Sequence, residues 1–346
     1  MNYQLKVIPE DFIVKEKHRL CLEYKDSTEQ NIYFLLQKKN YETFEAISII
    51  ANYFKINQDN IGYAGLKDID GVTEQYISIN AASLSDKIKC CRGTYCNVMD
   101  FENKFIRLFH TGKVGTRINV ASLEGNYFNI TARGIDANIG NKTNNNSCIS
   151  FSFINYYDTQ RFGIPGGDKI THFLGAAIER KDYTSAIKLV NRINDSQDIV
   201  ERPLRSIDDF FSRIDLRKIA FYRSAYSSYK WNSQIIERLE NSKQIKNSIT
   251  SEIEGMKFVF PCCIDNTIED ILENLPYKYK RHVVVDKDII PIDTNRPAII
   301  NTKVMLGKME KDEFNYGKYK FTLSFFLPPG CYATMLIKQL MMKLHS

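Results

Sequence analysis

The sequence predicts an α+β protein of two domains, and three observations carry that prediction. The chain has 346 residues, more than the roughly 300 at which a single hydrophobic core stops growing. Short runs in which apolar and polar residues alternate dominate up to about residue 160 and return from about 298. Between them, from Lys169 to Leu239, the apolar spacing turns helical.

Composition sets the limits. With 43% apolar and 25% charged residues the chain is an ordinary globular one, which excludes a disordered or fibrous class. The net charge of +6 accompanies 20 Tyr and 21 Phe, many beside Lys or Arg. That mixture suits RNA, whose phosphates attract cations and whose unstacked bases take aromatic faces; an ordinary basic surface also fits it. No apolar run approaches the roughly 20 residues of a membrane span, and Met1–Asp11 lacks the basic and apolar regions of a signal peptide. The expected location is therefore the cytoplasm, without a membrane partner. Eight cysteines, at 21, 90, 91, 96, 148, 262, 263 and 331, lack zinc spacing and are expected to be small buried apolar residues. The five scattered histidines give no support to a histidine-based nucleophile relay.

Along the chain, residues 4–8 and 12–16 alternate around Pro9-Glu10-Asp11 and read as strand, turn and strand, with Lys6 in the first strand. A strand and then an amphipathic helix from Thr43, its expected cap, cover residues 30 to 54. Strands follow at 76–79, 105–109 and 125–133, then an Asn-rich surface loop over 138–147. Helices are expected at 169–180, 183–193 and 216–239, the last with Tyr222, Tyr226, Tyr229, Ile236 and Leu239 as its core stripe. Strands at 257–260, 282–285, 298–306 and 321–326 precede a final helix, 333–344.

Two stretches carry polar chemistry at unusual density. Gly62-Tyr63-Ala64-Gly65-Leu66-Lys67-Asp68-Ile69-Asp70-Gly71-Val72-Thr73-Glu74-Gln75 sets a carboxylate beside an ammonium between glycines that permit tight turns and close approach to a ligand. A loop whose Asp merely caps a turn accounts for the same residues. Asn155-Tyr156-Tyr157-Asp158-Thr159-Gln160-Arg161-Phe162-Gly163 interleaves amide, aromatic and guanidinium groups ahead of a glycine-rich turn at 163–167. Asp68-Ile69-Asp70-Gly71 also fits the DxDG pattern of haloacid dehalogenase-like phosphatases, in which Asp68 would be a nucleophile and Mg²⁺ obligatory. That pattern belongs at the end of an apolar strand, whereas Gly62, Gly65 and Lys67 precede it here.

Tyr63-Ala64-Gly65-Leu66-Lys67-Asp68 with Thr73-x-Gln75 resembles the signature of the TruD family of pseudouridine synthases. So do Lys6-Val7-Ile8-Pro9-Glu10-Asp11-Phe12, Gly125-Asn126-x-Phe128, the 155–163 block and Leu327-Pro328-Pro329-Gly330-Cys331-Tyr332-Ala333-Thr334, in the family's order, and more weakly 224–232. The chain departs from the family pattern at Ile154, Tyr157, Asp158, Pro329 and Cys331.

The resemblance implies a catalytic domain (1–163 and 303–346) with a central mixed, largely antiparallel sheet, interrupted by an inserted domain (164–302). It implies isomerisation of a uridine in tRNA, at position 13 of the D-arm, with no cofactor, no metal and no protein partner, by a monomer. Asp68 would act at the ribose as nucleophile or base, kept ionised by Lys6 or alternatively Lys67. Phe128 would stack on the flipped uridine, and Asn126, Gln75, Gln160 and Arg161 would bind base or phosphate. Another RNA substrate, or an RNA-binding module without catalysis, is the alternative.

Overall fold

The computed structural model describes residues 3–19, 31–84, 95–119, 123–140, 147–163, 167–196, 203–245 and 247–345. Cys21, Cys90 and Cys91, most of the Asn-rich stretch and positions 164–166 of the glycine-rich turn lie outside the described residues. Two compact units emerge. One comprises Met1–Phe151, Thr302–Gly330 and His345; the other comprises Ser152–Asn301, Cys331–Leu344 and Ser346.

In chain order the first unit carries β1 (Phe12–His18), β2 (Asn31–Lys39), α1 (Thr43–Phe54), β3 (Ile61–Tyr63), β4 (Val72–Asn80), β5 (Tyr95–Phe101), β6 (Lys104–Gly115), β7 (Leu123–Ile135), the single turn α2 (Ala137–Gly140) and β8 (Ser147–Ile154), along which the chain leaves it. The second unit then forms α3 (Thr171–Glu179), α4 (Tyr183–Ser196), α5 (Ile207–Arg213), α6 (Leu216–Asn241), β9 (Ser248–Ile253), β10 (Met256–Pro261), α7 (Asn266–Glu273), β11 (Tyr279–Val285) and β12 (Asp288–Thr294). The chain returns along β13 (Ile299–Leu306) to β14 (Glu310–Lys311) and β15 (Tyr319–Leu327), and its last helix, α8 (Ala333–His345), belongs largely to the second unit. The sequence boundaries differ from these units at 152–163 and 331–344. The reason is packing: Met335 and Met342 of α8 join the core of Tyr156, Phe162 and Trp231, and the Gln339 side chain bonds both backbone groups of Ile154.

The first unit is built on a sheet of order β5-β6-β2-β4-β1-β7-β15-β13-β8, with β3 on β4 and β14 on β15. β1 runs parallel to β4 and antiparallel to β7, while β2–β4, β2–β6, β5–β6 and β7–β15 are antiparallel, so the sheet is mixed. Alternation explains its buried face. Phe34 and Leu36 of β2 and Ile77 and Ile79 of β4 point the same way and are buried against Ala46, Ile47, Ile50 and Phe54 of α1. Gly71 lets β4 begin beside β1: a Cβ there would lie 2.4 Å from the Phe12 carbonyl oxygen.

The expected strand at 4–8 reduces to one bridge, Gln4 to Arg133, and Lys6 adopts the left-handed region at φ 58°. Side-chain pairing takes the place of a ladder. The buried Arg133 guanidinium donates to both Asp11 carboxylate oxygens at 2.9 and 2.8 Å and to Asp312 Oδ1 at 3.1 Å. Asp11 Oδ2 in turn accepts from the Ile8 backbone N–H. The segment carrying Lys6 is thus tied to β7 on both sides. Burial works against the Asp312 carboxylate, but hydrogen bonds from Asn315, the Gly134 and Phe314 N–H groups and Arg133 hold its pKa down to about 2.

In the second unit the longest helix keeps part of the expected stripe, with Leu239 buried and Ile236 and Tyr222 packed against cores, and buries small residues as well. α6 buries Ala220, Ser224, Ala225, Ser227, Ser228, Trp231 and Ile235, whereas Tyr229 is 36% exposed. Close approach of α3 to the backbone of α6 requires Gly175: a Cβ there would lie 2.0 Å from the Tyr222 carbonyl oxygen. Cys148, Cys262 and Cys263 are exposed and Cys331 is half-buried, against the expectation of buried residues, whereas Cys96 packs against the core of the first unit. No helix among the described residues is long and apolar enough to cross a membrane.

Arg133→Met leaves two buried carboxylates without their cation. We expect a loss of about 3–5 kcal/mol in unfolding free energy, measured by urea denaturation; a loss below about 1 kcal/mol would show that these ion pairs do not hold the segment.

Candidate active site

The loop between β3 and β4 lies over the sheet face that packs on α1. The register sets up that face. Lys38 pairs with Thr73, Thr73 with Val14, Val14 with Phe128, and Phe128 with Phe325, one row across four neighbouring strand pairs. In the next row Leu36 pairs with Gln75, Glu16 with Asn126, and Asn126 with Leu327. Thr73 and Gln75, read from sequence as loop residues, are therefore strand residues whose side chains turn inward.

Asp68 receives its cation from the N-terminal segment. Lys6 Nζ donates to Asp68 Oδ1 at 2.8 Å, and the two side chains are 20% and 34% exposed. The same ammonium sits 4.3 Å from the centroid of the Phe12 ring, which meets Phe128 edge to face at 6.3 Å. Phe128 is 8% exposed and stacks on Phe325 at 5.4 Å. The Lys6 ammonium thus lies between the Asp68 carboxylate and the Phe12 ring, and the Lys38 ammonium also acts electrostatically on Asp68.

Lys67 goes elsewhere. Its ammonium lies 2.7 Å from Glu16 Oε2, and both side chains are almost wholly buried. Burial pushes the Glu16 carboxyl up while Lys67 pulls it down, with burial the larger effect. Gln75 Nε2 donates to the Gly65 carbonyl at 3.3 Å. Besides the two Glu16 oxygens, which face Lys67, the buried Thr73 Oγ1, Gln75 Oε1 and Asn126 Oδ1 on this face have no hydrogen-bond partner among the described residues. Buried acceptors of this kind call for a donor.

Two residues that hold the loop escaped the sequence reading. Lys38 is fully buried and donates to the carbonyls of Tyr41 at 2.8 Å and Asp68 at 2.7 Å, with Lys67 at 3.5 Å. Burial brings its pKa down to about 8. Thr43 does not cap α1: the cap residue is Glu42, without a side-chain bond, and Thr43 Oγ1 instead accepts from the Lys67 N–H at 2.9 Å. Glu16 was missed as well. The signal was present in both cases, because period-two alternation after Phe34 and Leu36, and after Phe12 and Val14, directs Lys38 and Glu16 inward.

None of Gly62, Gly65 or Gly71 has positive φ, so the loop uses glycine at 62 and 71 for close approach, not for tight turns. The loop follows a three-residue strand antiparallel to β4, not the apolar parallel strand a DxDG phosphatase requires.

Gln160 and Arg161 belong to the second unit. Gln160 is exposed; Arg161 donates to Ser228 Oγ at 3.2 Å and lies 4.9 Å from the Phe221 ring centroid. The departures at 157 and 158 are packing positions. Tyr157 is 6% exposed under Arg296, 3.8 Å from its ring centroid. The buried Asp158 accepts from Thr334 and from Lys338 at 2.5 Å.

Between pH about 8 and 10.5 the unfolded chain holds the Lys38 proton more tightly than the folded protein does. Unfolding free energy should therefore rise with pH across this window relative to Lys38→Met, as read from urea melts at pH about 8 and about 10. Parallel slopes for the two proteins would contradict a buried, proton-poor Lys38.

Comparison with known proteins gives the family and the fold. A family model described as tRNA pseudouridine synthase D (TruD) matches residues 1–220. A curated protein from Methanocaldococcus jannaschii, "Probable tRNA pseudouridine synthase D 2", is 26% identical over 97% of this chain and 91% of its own. The tRNA pseudouridine synthase D of Aquifex aeolicus is 26% identical over 98% of each chain. A crystal structure assigned to TruD from Methanosarcina mazei shares the fold, with a TM-score of 0.55 at 17% identity over 98% of this chain and 93% of the other. The chain belongs to the TruD family of tRNA pseudouridine synthases.

Proposed function

We propose that this protein converts a specific uridine of tRNA, position 13 in the D-arm, to pseudouridine, and that Asp68 is the carboxylate that acts at the ribose. One observation carries the reading: Asp68, one-third exposed, is held at 2.8 Å by Lys6 over a face that offers unpartnered buried acceptors at Gln75 and Asn126. Breaking the C1′–N1 bond and joining C5 to the same C1′ requires an ionised carboxylate beside the sugar, whether as nucleophile or as base. A neighbouring ammonium keeps a carboxylate ionised where water is displaced.

The acceptors suit the substrate. Uracil presents its N3–H, and ribose its 2′-OH, as donors that Gln75 Oε1 and Asn126 Oδ1 can take. Phe128 is the stacking ring in this reading, and it has to be uncovered as the base enters, since it now packs on Phe325. Lys67 acts through Glu16 rather than on Asp68. Gln160 and Arg161 contact RNA backbone or base from the second unit. The enzyme works without cofactor or metal, as a monomer in the cytoplasm.

The test is incubation of the purified protein, in EDTA, with unmodified tRNA transcripts, followed by carbodiimide mapping of pseudouridine beside Asp68→Ala. The expected result is one new pseudouridine at position 13, absent with the variant. RNA binding without product on any transcript would favour a binding module or a different RNA substrate. Binding should also weaken steeply with salt, by about tenfold or more between 50 and 200 mM if several phosphates are contacted.

A further inference from the structure

We infer that Lys38 and Thr43, from the end of β2 and the start of α1, form a backbone clamp that aims the Asp68 carboxylate. Lys38 donates to the carbonyl of Asp68 itself, and Thr43 accepts from the N–H of Lys67, one residue before. The two contacts bracket the Lys67–Asp68 peptide, so they fix the backbone on either side of the reacting residue while leaving its carboxylate to Lys6. Neither clamp residue forms an ion pair or hydrogen bond with the carboxylate, although the Lys38 charge acts on Asp68 at longer range, and both are buried, at 0% and 2% exposure.

The arrangement is specific to a positioning task. Without regular secondary structure from Ala64 to Asp70, the loop has no ladder to set the direction of Asp68. A buried ammonium costs solvation, and Lys38 spends its protons on carbonyls of the turn at Tyr41 and of the loop instead of on a carboxylate. The anchors on the two sides of the site are independent: Arg133 ties down the segment of Lys6, and the clamp ties down the loop of Asp68. A misplacement of about 1 Å at a reacting group is enough to cost large factors in rate.

This inference rests on the reading that Asp68 reacts, so its test carries Asp68→Asn as reference. Single-turnover rate constants at saturating tRNA transcript are measured for Lys38→Met, Thr43→Val and Thr43→Ser, with dissociation constants from filter binding and thermal melting of each protein. Lys38→Met should slow the step about tenfold or more and Thr43→Val about threefold to tenfold. Thr43→Ser, which keeps the hydroxyl, should run near the parental rate, and all dissociation constants should stay within about twofold. Parental rates in both Lys38→Met and Thr43→Val, or binding that weakens in step with rate, would overturn the clamp. If Lys38→Met does not fold, Thr43→Val decides: slowed and restored by Ser supports the clamp, parental or not restored by Ser overturns it. An Asp68→Asn enzyme at the parental rate would overturn the underlying reading instead, whatever the clamp variants do.

Discussion

The ion pair between Lys6 and Asp68 joins the N-terminal segment to the β3–β4 loop, and much of the first unit serves to hold those two segments. Lys6 supplies the cation at 2.8 Å. Both partners sit on segments without regular secondary structure, so neither is placed by a strand or a helix alone. The N-terminal segment is held by the Gln4–Arg133 bridge and by the buried Asp11–Arg133–Asp312 ion pairs. The Asp68 loop is held by Lys38 and Thr43. In both cases buried charged groups do what hydrogen-bonded ladders do elsewhere in the sheet, and removing one partner costs more than an exposed pair would.

The sheet register gives the site its second property. Because β1 runs parallel to β4 and antiparallel to β7, residues far apart in sequence, 16, 75 and 126, fall on neighbouring positions of one face. That face begins apolar under α1 and becomes polar beneath the loop, where buried amide oxygens lack partners. Unpartnered acceptors are costly in a finished core and useful where a donor-bearing base is to be received. The family membership and this geometry point the same way, and the assignment of roles to individual residues remains the proposal made above.

Much of this was legible in the sequence where one element speaks for itself. The strand alternation at 125–133, the amphipathic run after Thr43 and the terminal helix each carried their own period, and the dense polar loop around Asp68 stood out by composition. What failed was what depends on a partner. Lys6 looked like a strand residue because alternation says nothing of the Arg133 cluster that bends its segment. Thr43 looked like a cap because its true partner, the Lys67 N–H, lies 24 residues on. The tyrosines of α6 looked like the whole core stripe because helical spacing does not reveal that Ser224 and Ser227 are buried to accept from backbone N–H groups of β11. Asp158 and Tyr157 stood out only as departures from the family pattern, and Lys338 and Arg296, far along the chain, make them packing positions.

The central claim is that Lys6 works through Asp68 and through nothing else in the reaction. A double-mutant cycle on the single-turnover rate of pseudouridine formation, with the parent, Lys6→Met, Asp68→Asn and the double variant, tests it most directly. The account predicts a large loss in each single variant and a double variant no slower than Asp68→Asn alone. Losses that add would contradict it, because they would mean that Lys6 and Asp68 contribute independently.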